Sequence, residues 1–255
     1  MELWTREHAQ TLIPAVAVML AVGVILRLTL GNKEEKIRMI PFQIVACIMV
    51  ALEIGKQAVS LSRGYDLYHL PFHFCSLFIF MVPLMAFYKG KHVQKVRCIT
   101  AALTASLFLL MLIYPALIYS SGNIQNFFGD FLDMHTVAFH NAAMLEFVLI
   151  VALKLHTPQK KGEVKAVVWF ILGFCTVSAT MAQVLKTNYA NYYTCNVPPL
   201  EALRLSVQGA VGEIPARILY ILIVSAVNVV FVVGAYWVYR FVRQLAAGKQ
   251  SATVN

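Results

Sequence analysis

Charge is scarce in this chain, and the scarcity excludes a water-soluble body. Asp, Glu, Lys and Arg make up 13% of its 255 residues, and apolar residues make up 60%. A soluble domain is nearer about 25% charged and about 45–50% apolar. Acids are the rarer sign, 12 against 21 Lys and Arg. With 13 glycines and 9 prolines the chain is also too poor in both to be collagen-like or disordered. It has no Cys-x-x-Cys pair, no internal repeat and no linker to a second domain. The alternating ten-residue segments of an outer-membrane barrel are missing too. Mean hydropathy is +0.71. What remains is an all-α, polytopic membrane helical bundle, with residues 1–255 forming a single integral membrane domain.

A helix needs about 20 mostly apolar residues to cross about 30 Å of hydrocarbon. About seven segments meet that length. They run from about Leu12 to Leu30, Met39 to Leu61, His69 to Tyr88, Val96 to Tyr119, Met134 to Leu153, Val164 to Lys186 and Ile214 to Tyr239. The third has Pro71 and Pro83 near its ends, which leaves a broken or re-entrant helix open there. The first follows acidic Glu2 and Glu7 and lacks a clean cleavage site, so it reads as a retained helix.

Basic residues set the orientation. Lys33, Lys36 and Arg38 lie in the first link, and Lys89, Lys91, Lys95 and Arg97 in the third. Lys154, Lys160, Lys161 and Lys165 lie in the fifth link, and Arg240, Arg243 and Lys249 in the tail. Those fourteen share one side, against six on the other: Arg6, Lys56, Arg63, Lys186, Arg204 and Arg217. The pattern predicts an outside N-terminus and a cytoplasmic C-terminus, in the cell membrane. The formal +9 charge therefore reads as membrane orientation, and no nucleic-acid partner is expected. The longest outer link, roughly Thr187–Glu213, is rich in tyrosine. Its part Leu200–Val211 suits a short amphipathic helix on the bilayer.

Polar groups inside spans are costly, so they point to function or to pairing. Glu53, Lys56 and Gln57 share one face of the second span, as an internal ion pair or as a substrate contact. Thr176, Thr180, Gln183 and Thr187 make one stripe on the sixth span, which predicts that it faces the bundle interior. His140, Asn141 and Glu146 lie on the fifth span. The third span opens with His69 and His73, one helical turn apart, and Cys75. With His135 and His140, four of the seven histidines fall in the outer half of the bundle. Imidazole ligates heme iron and zinc, but this spacing fits no metal motif, and no metal ligands are assigned.

A cysteine and a histidine together support nucleophilic acyl transfer. Neutral imidazole takes the thiol proton, and the thiolate attacks an ester carbonyl. Cys75 with His140 is the preferred pair, and His73 and His135 are the alternates. A structural packing role for Cys75 stands beside this, as does an outward Cys75–Cys195 disulfide. Cys47, Cys98 and Cys175 sit in apolar runs without polar company.

Three stretches carry a family resemblance: Leu70-Pro71-Phe72-His73-Phe74-Cys75-Ser76, His140-Asn141-Ala142-Ala143-Met144, and Thr187-Asn188-Tyr189 followed by Cys195-Asn196-Val197-Pro198-Pro199-Leu200. In order and position they resemble the YwaF-like family of integral membrane proteins. Eukaryotic relatives of that family are described as cysteine-dependent acyltransferases that remodel ether phospholipids. The likeness covers roughly Leu70 to Leu205. Ser76 stands where the family often has an acidic residue.

The resemblance implies a Cys/His-dependent membrane phospholipid acyltransferase that works through a thioester on Cys75, with His140 as base. Its partners would be a membrane phospholipid and a lysolipid. Asn188, Tyr189, Asn191 and Tyr192 would hydrogen-bond the oxyanion or headgroup, and His73, His135, Glu53 and Gln183 would line the substrate site. No metal or soluble cofactor is required. The rival reading is a non-catalytic transporter or a lipid- or small-solute-binding protein, in which Glu53 and the sixth-span stripe line a path.

Overall fold

The computed structural model describes residues 4–118, 120–158 and 162–252. Tyr119, at the expected end of the fourth span, and Lys160 and Lys161, in the fifth link, lie outside the described residues. The helices are α1 (Arg6–Leu30), α2 (Glu35–Arg38), α3 (Ile40–Ser62), α4 (Leu77–Phe87), α5 (Val93–Ile113), α6 (Ser121–Gln125), α7 (Phe131–Ala152), α8 (Glu163–Leu185), α9 (Pro198–Val211) and α10 (Glu213–Ala252). The described residues contain no strand.

Six stretches are long and apolar enough to cross a bilayer: α1, Glu35–Ser62, α5, α7, α8 and Glu213–Gln244 within α10. The protein is a multi-pass integral membrane protein. Its outer surface carries large apolar side chains that water would not tolerate, such as Leu28 at 79% and Val230 at 70% exposure. These face lipid.

The expected third span is corrected. Its helical part is Phe74–Phe87, which rises roughly 21 Å, less than the about 30 Å of a full helical span. Pro71 is the cause. It holds Leu70 extended, at φ −64° and ψ 148°, and keeps the chain out of the α region before it. His69 closes a 3-10 turn, and His73 follows it in extended backbone, so the two are not successive turns of a helix.

Helix α5 is central and packs against α4, α7, α8 and α10. Its run Thr100-Ala101-Ala102-Leu103-Thr104-Ala105-Ser106 is buried all round. Small residues let neighbouring backbones approach closely in a membrane. The hydroxyls stay satisfied there: Thr100 donates to Val96 O at 2.9 Å and to Met81 O of α4 at 3.2 Å, and Thr104 donates to Thr100 O at 2.8 Å.

The polar stripe of the sixth span is corrected at its first two members, whereas Gln183 and Thr187 are half-buried. Thr176 and Thr180 are exposed, and each hydroxyl donates to the carbonyl four residues back, at 2.9 and 2.8 Å. That bond satisfies the hydroxyl and lets it face lipid. Cys175, Ser178, Ala179 and Ala182 take the interior side of α8.

Candidate functional site

The link between α3 and α4 is tied down from both sides. Asp66 accepts from the Tyr68 amide at 2.8 Å and starts the 3-10 turn. Gln57 on α3 donates to His69 O at 3.1 Å, and Ser60 Oγ lies 2.5 Å from His69 Nδ1. From the other side, Ser178 on α8 donates to Phe72 O at 2.8 Å. The segment from His73 to Ser76 is thereby held over a cavity of about 470 Å³.

Cys75, His69, His73, His135 and His140 all line this cavity, with Glu53, Lys56, Asn188 and Asn191. All four outer histidines are therefore together. Cys75 is a free thiol, as is Cys195, so no disulfide joins them.

Each of three cavity histidines has a ring nitrogen within hydrogen-bonding distance of a neighbour. His140 Nδ1 lies 2.6 Å from Thr136 O, and a carbonyl can only accept. Nδ1 therefore carries the proton, and in the neutral ring Nε2 carries the lone pair. His73 Nε2 is fixed as a donor in the same way, 2.9 Å from Tyr68 O. His69 is the one held by Ser60. His135 Nε2 instead faces Glu53 Oε2 at 3.5 Å. The other oxygen of Glu53 pairs with Lys56 Nζ at 2.7 Å and accepts from Gln57 Nε2 at 2.7 Å.

The wall from the outer link is built on unusual backbone. Ala190 and Asn191 both have positive φ, 46° and 64°, a region that non-glycine residues seldom enter. Asn188 Oδ1 accepts the Tyr193 and Thr194 amides at 3.2 and 3.1 Å and holds this turn. Asn191 Oδ1 is buried without a hydrogen-bond partner.

Three of the expected substrate-site residues stand apart from the cavity wall. Tyr189 is fully buried, and its hydroxyl donates to Leu67 O. Tyr192 is also fully buried, with its hydroxyl 2.9 Å from Ser225 Oγ. Gln183 donates to Tyr192 O at 2.8 Å and accepts from Arg217. Tyr192 and Gln183 anchor the outer link to α8 and α10, and Tyr189 anchors it to the α3–α4 link. Elsewhere in α7, Glu146 is fully buried with neither oxygen hydrogen-bonded.

The opposite end holds a group that the sequence reading missed. Cys98 of α5, His156 in the α7–α8 link and Glu163 of α8 bring their ligand atoms within 4.8 Å of one another. Cys98 and His156 are buried, and Glu163 is half-buried. The cluster is capable of coordinating a metal or of forming a catalytic site. Cys98 thus has polar company after all, supplied by segments far away in sequence. The signal available was weak: a histidine and a glutamate in a link otherwise read for its lysines.

Beside that end, a groove of about 730 Å³ is lined by Leu20, Val24, Phe108 and Phe147, and by Arg27, Lys154, Arg240 and Arg243. The like charge of Arg27, then burial, then Arg243 hold the Lys154 ammonium below its ordinary value. Arg27, Arg38 and Arg243 donate to the α7 C-terminal region, at Ala152 O (3.1 Å), Leu153 O (2.8 Å) and Val151 O (3.3 Å). These cations complement the negative end of the helix.

Residues 3–236 match the TMEM164 family. The chain belongs to that family. No curated protein and no solved structure matches it.

Proposed function

We propose that this member of the TMEM164 family is a membrane phospholipid acyltransferase that works through a thioester on Cys75. The observation that carries the reading is the convergence of Cys75 with His73, His135 and His140 on one cavity. A nucleophile needs a base with a free lone pair, and the carbonyl of Thr136 fixes His140 in the tautomer that has one at Nε2.

The proposed sequence has two halves. His140 Nε2 takes the Cys75 proton, and Sγ attacks an acyl ester carbonyl. The ester C–O bond breaks, the thioester forms, and the lysolipid leaves with the proton from His140. A lysolipid hydroxyl then binds and gives its proton to His140. Its oxygen attacks the thioester, the C–S bond breaks, and the proton returns to Cys75. The Phe74 and Cys75 amides, which open the Phe74–Phe87 helix ahead of the bonded amides of Ser76 and Leu77, would stabilise the oxyanion, with the Asn191 carboxamide near the headgroup.

The site would face the outer leaflet. Support comes from the basic end: Arg27, Arg38 and Arg243 gather at the C-terminal end of α7, away from the cavity at its N-terminal half. Positive-inside bias would then put the N-terminus outside and the cavity on that side.

Intact-mass analysis of protein purified with its endogenous lipid tests this. Wild type is expected to carry a hydroxylamine-sensitive acyl adduct that is absent from Cys75→Ala. Cys75→Ser is expected to lose the hydroxylamine sensitivity, with any adduct held as an oxygen ester. A second reading, lipid binding without chemistry, is favoured by the larger apolar groove with its four cations. Wild type that stays unmodified after incubation with phospholipids, with Cys75 shown to be a free thiol, would replace the first reading with the second.

A further inference from the structure

We propose that Cys98, His156 and Glu163 form a Zn²⁺ site that clips α5, α8 and the α7–α8 link together at the end of the bundle opposite the histidine cavity. The inference is independent of the acyl-transfer reading, since the two sites share no residue.

Thiolate sulfur, imidazole nitrogen and carboxylate oxygen are the three protein donors zinc takes most readily. Tetrahedral zinc, with bonds of about 2.0–2.3 Å, holds its ligands about 3.3–3.8 Å apart. The three ligand atoms here already lie within 4.8 Å of one another, about 1 Å beyond that spacing. His156 Nε2 and Glu163 Oε1 are the nearest pair described, at 3.7 Å.

His156 is 2% exposed, and neither ring nitrogen makes a hydrogen bond. A buried polar group left unpaired is costly, so an imidazole buried in this way needs a partner. Three of the four cavity histidines have one. A metal at Nε2 or Nδ1 would supply it.

The surroundings complete the site. The Tyr236 hydroxyl donates to Oε2, the other oxygen of Glu163, and the Tyr239 hydroxyl donates to His156 O at 2.8 Å. Such outer contacts orient metal ligands. Charge also balances. Zinc binding releases the Cys98 proton to solvent, and the thiolate and the Glu163 carboxylate together cancel the dication. His156 binds as the neutral ring, a water fills the fourth position, and nothing is oxidised or reduced. Arg97, next to Cys98 in sequence, has its charge paired with Glu35 at 2.5 Å.

The test uses untagged full-length protein purified in detergent without chelator. Plasma mass spectrometry is expected to find about one zinc per chain in wild type and in Cys75→Ala. Cys98→Ser and His156→Gln should each lower the zinc content by about tenfold or more. Cobalt added to the zinc-stripped protein should give a thiolate-to-cobalt charge-transfer band in wild type and Cys75→Ala, and none in Cys98→Ser. Zinc content unchanged in Cys98→Ser, or lost in Cys75→Ala, would overturn the site. If Cys98→Ser does not stay monodisperse, the cobalt spectra of wild type and Cys75→Ala decide. A charge-transfer band in both supports the site, and its absence from either overturns it.

Discussion

At the cavity end, His69, His73 and His140 each set a ring nitrogen against a hydroxyl or a carbonyl, and His135 sets one against a carboxylate. At the basic end, His156 is buried with neither nitrogen hydrogen-bonded. A carbonyl on one nitrogen fixes the tautomer and leaves the other nitrogen a known role, which suits proton transfer. An imidazole with both nitrogens unbonded has no fixed tautomer, which suits a ligand that would choose one. The same residue type is thus prepared for two chemistries by what surrounds it.

The sharpest way to break this comparison is to remove the proposed base. His140→Gln is expected to lower acyl transfer by about 10²–10⁴-fold, the usual contribution of a positioned acid–base group. His135→Gln should cost less, because its Nε2 faces Glu53 and its role would be to position that network. Thr176→Val, on the lipid-facing side of α8, should leave the rate unchanged. Turnover measured on lipid vesicles checks all three. A larger loss from His135→Gln than from His140→Gln would reassign the base.

Packing separates the cavity wall from the lipid face in a second way. A Cβ on Gly55 of α3 would lie 2.5 Å from the Phe131 ring of α7, whereas one on Gly173 of α8 would meet nothing within 4 Å. Gly55→Leu is therefore expected to destabilise the protein by about 1–3 kcal/mol through overpacking. Gly173→Leu should leave the melting temperature nearly unchanged. Thermal unfolding in detergent tests the contrast. Equal effects would mean that α3 and α7 are not in close contact beside the cavity.

Much of the fold was legible because lipid imposes a simple rule on composition. Six long apolar helices and the amphipathic α9 follow from runs that can be read locally. The shortened helix after Pro71 was marked by that proline, though its length was set by the chain wrapping over the cavity. The cavity was partly legible for the same local reason: the stretch from His73 to Cys75 is continuous, and His135 and His140 share one helix. The orientation of the α8 threonines was not, because a hydroxyl can bond within its own helix and so gives no preference for the interior. The cluster of Cys98, His156 and Glu163 was illegible, since its members become neighbours only after α5, α7 and α8 pack.

The smallest expected effect concerns an ion pair near the cavity end. Arg63 Nη1 lies 2.6 Å from Asp130 Oδ2, and Asp130 Oδ1 accepts the Leu132 amide at 2.8 Å to cap α7. The hydrogen bond from Arg63, followed by that backbone amide, holds the Asp130 carboxyl below the usual carboxylate range. A depressed folded-state value means that the stabilisation is present above the unfolded value, about 3.9. It is lost as pH falls through that value towards the lower folded one. Asp130→Asn keeps a good capping side chain and removes the charge. It is expected to flatten the acid limb of the melting-temperature profile slightly while leaving neutral pH nearly untouched. An unchanged acid limb would mean that solvent screens the pair completely, as it does for many exposed ion pairs. The acid sensitivity of the cavity end would then have to come from its other carboxylates.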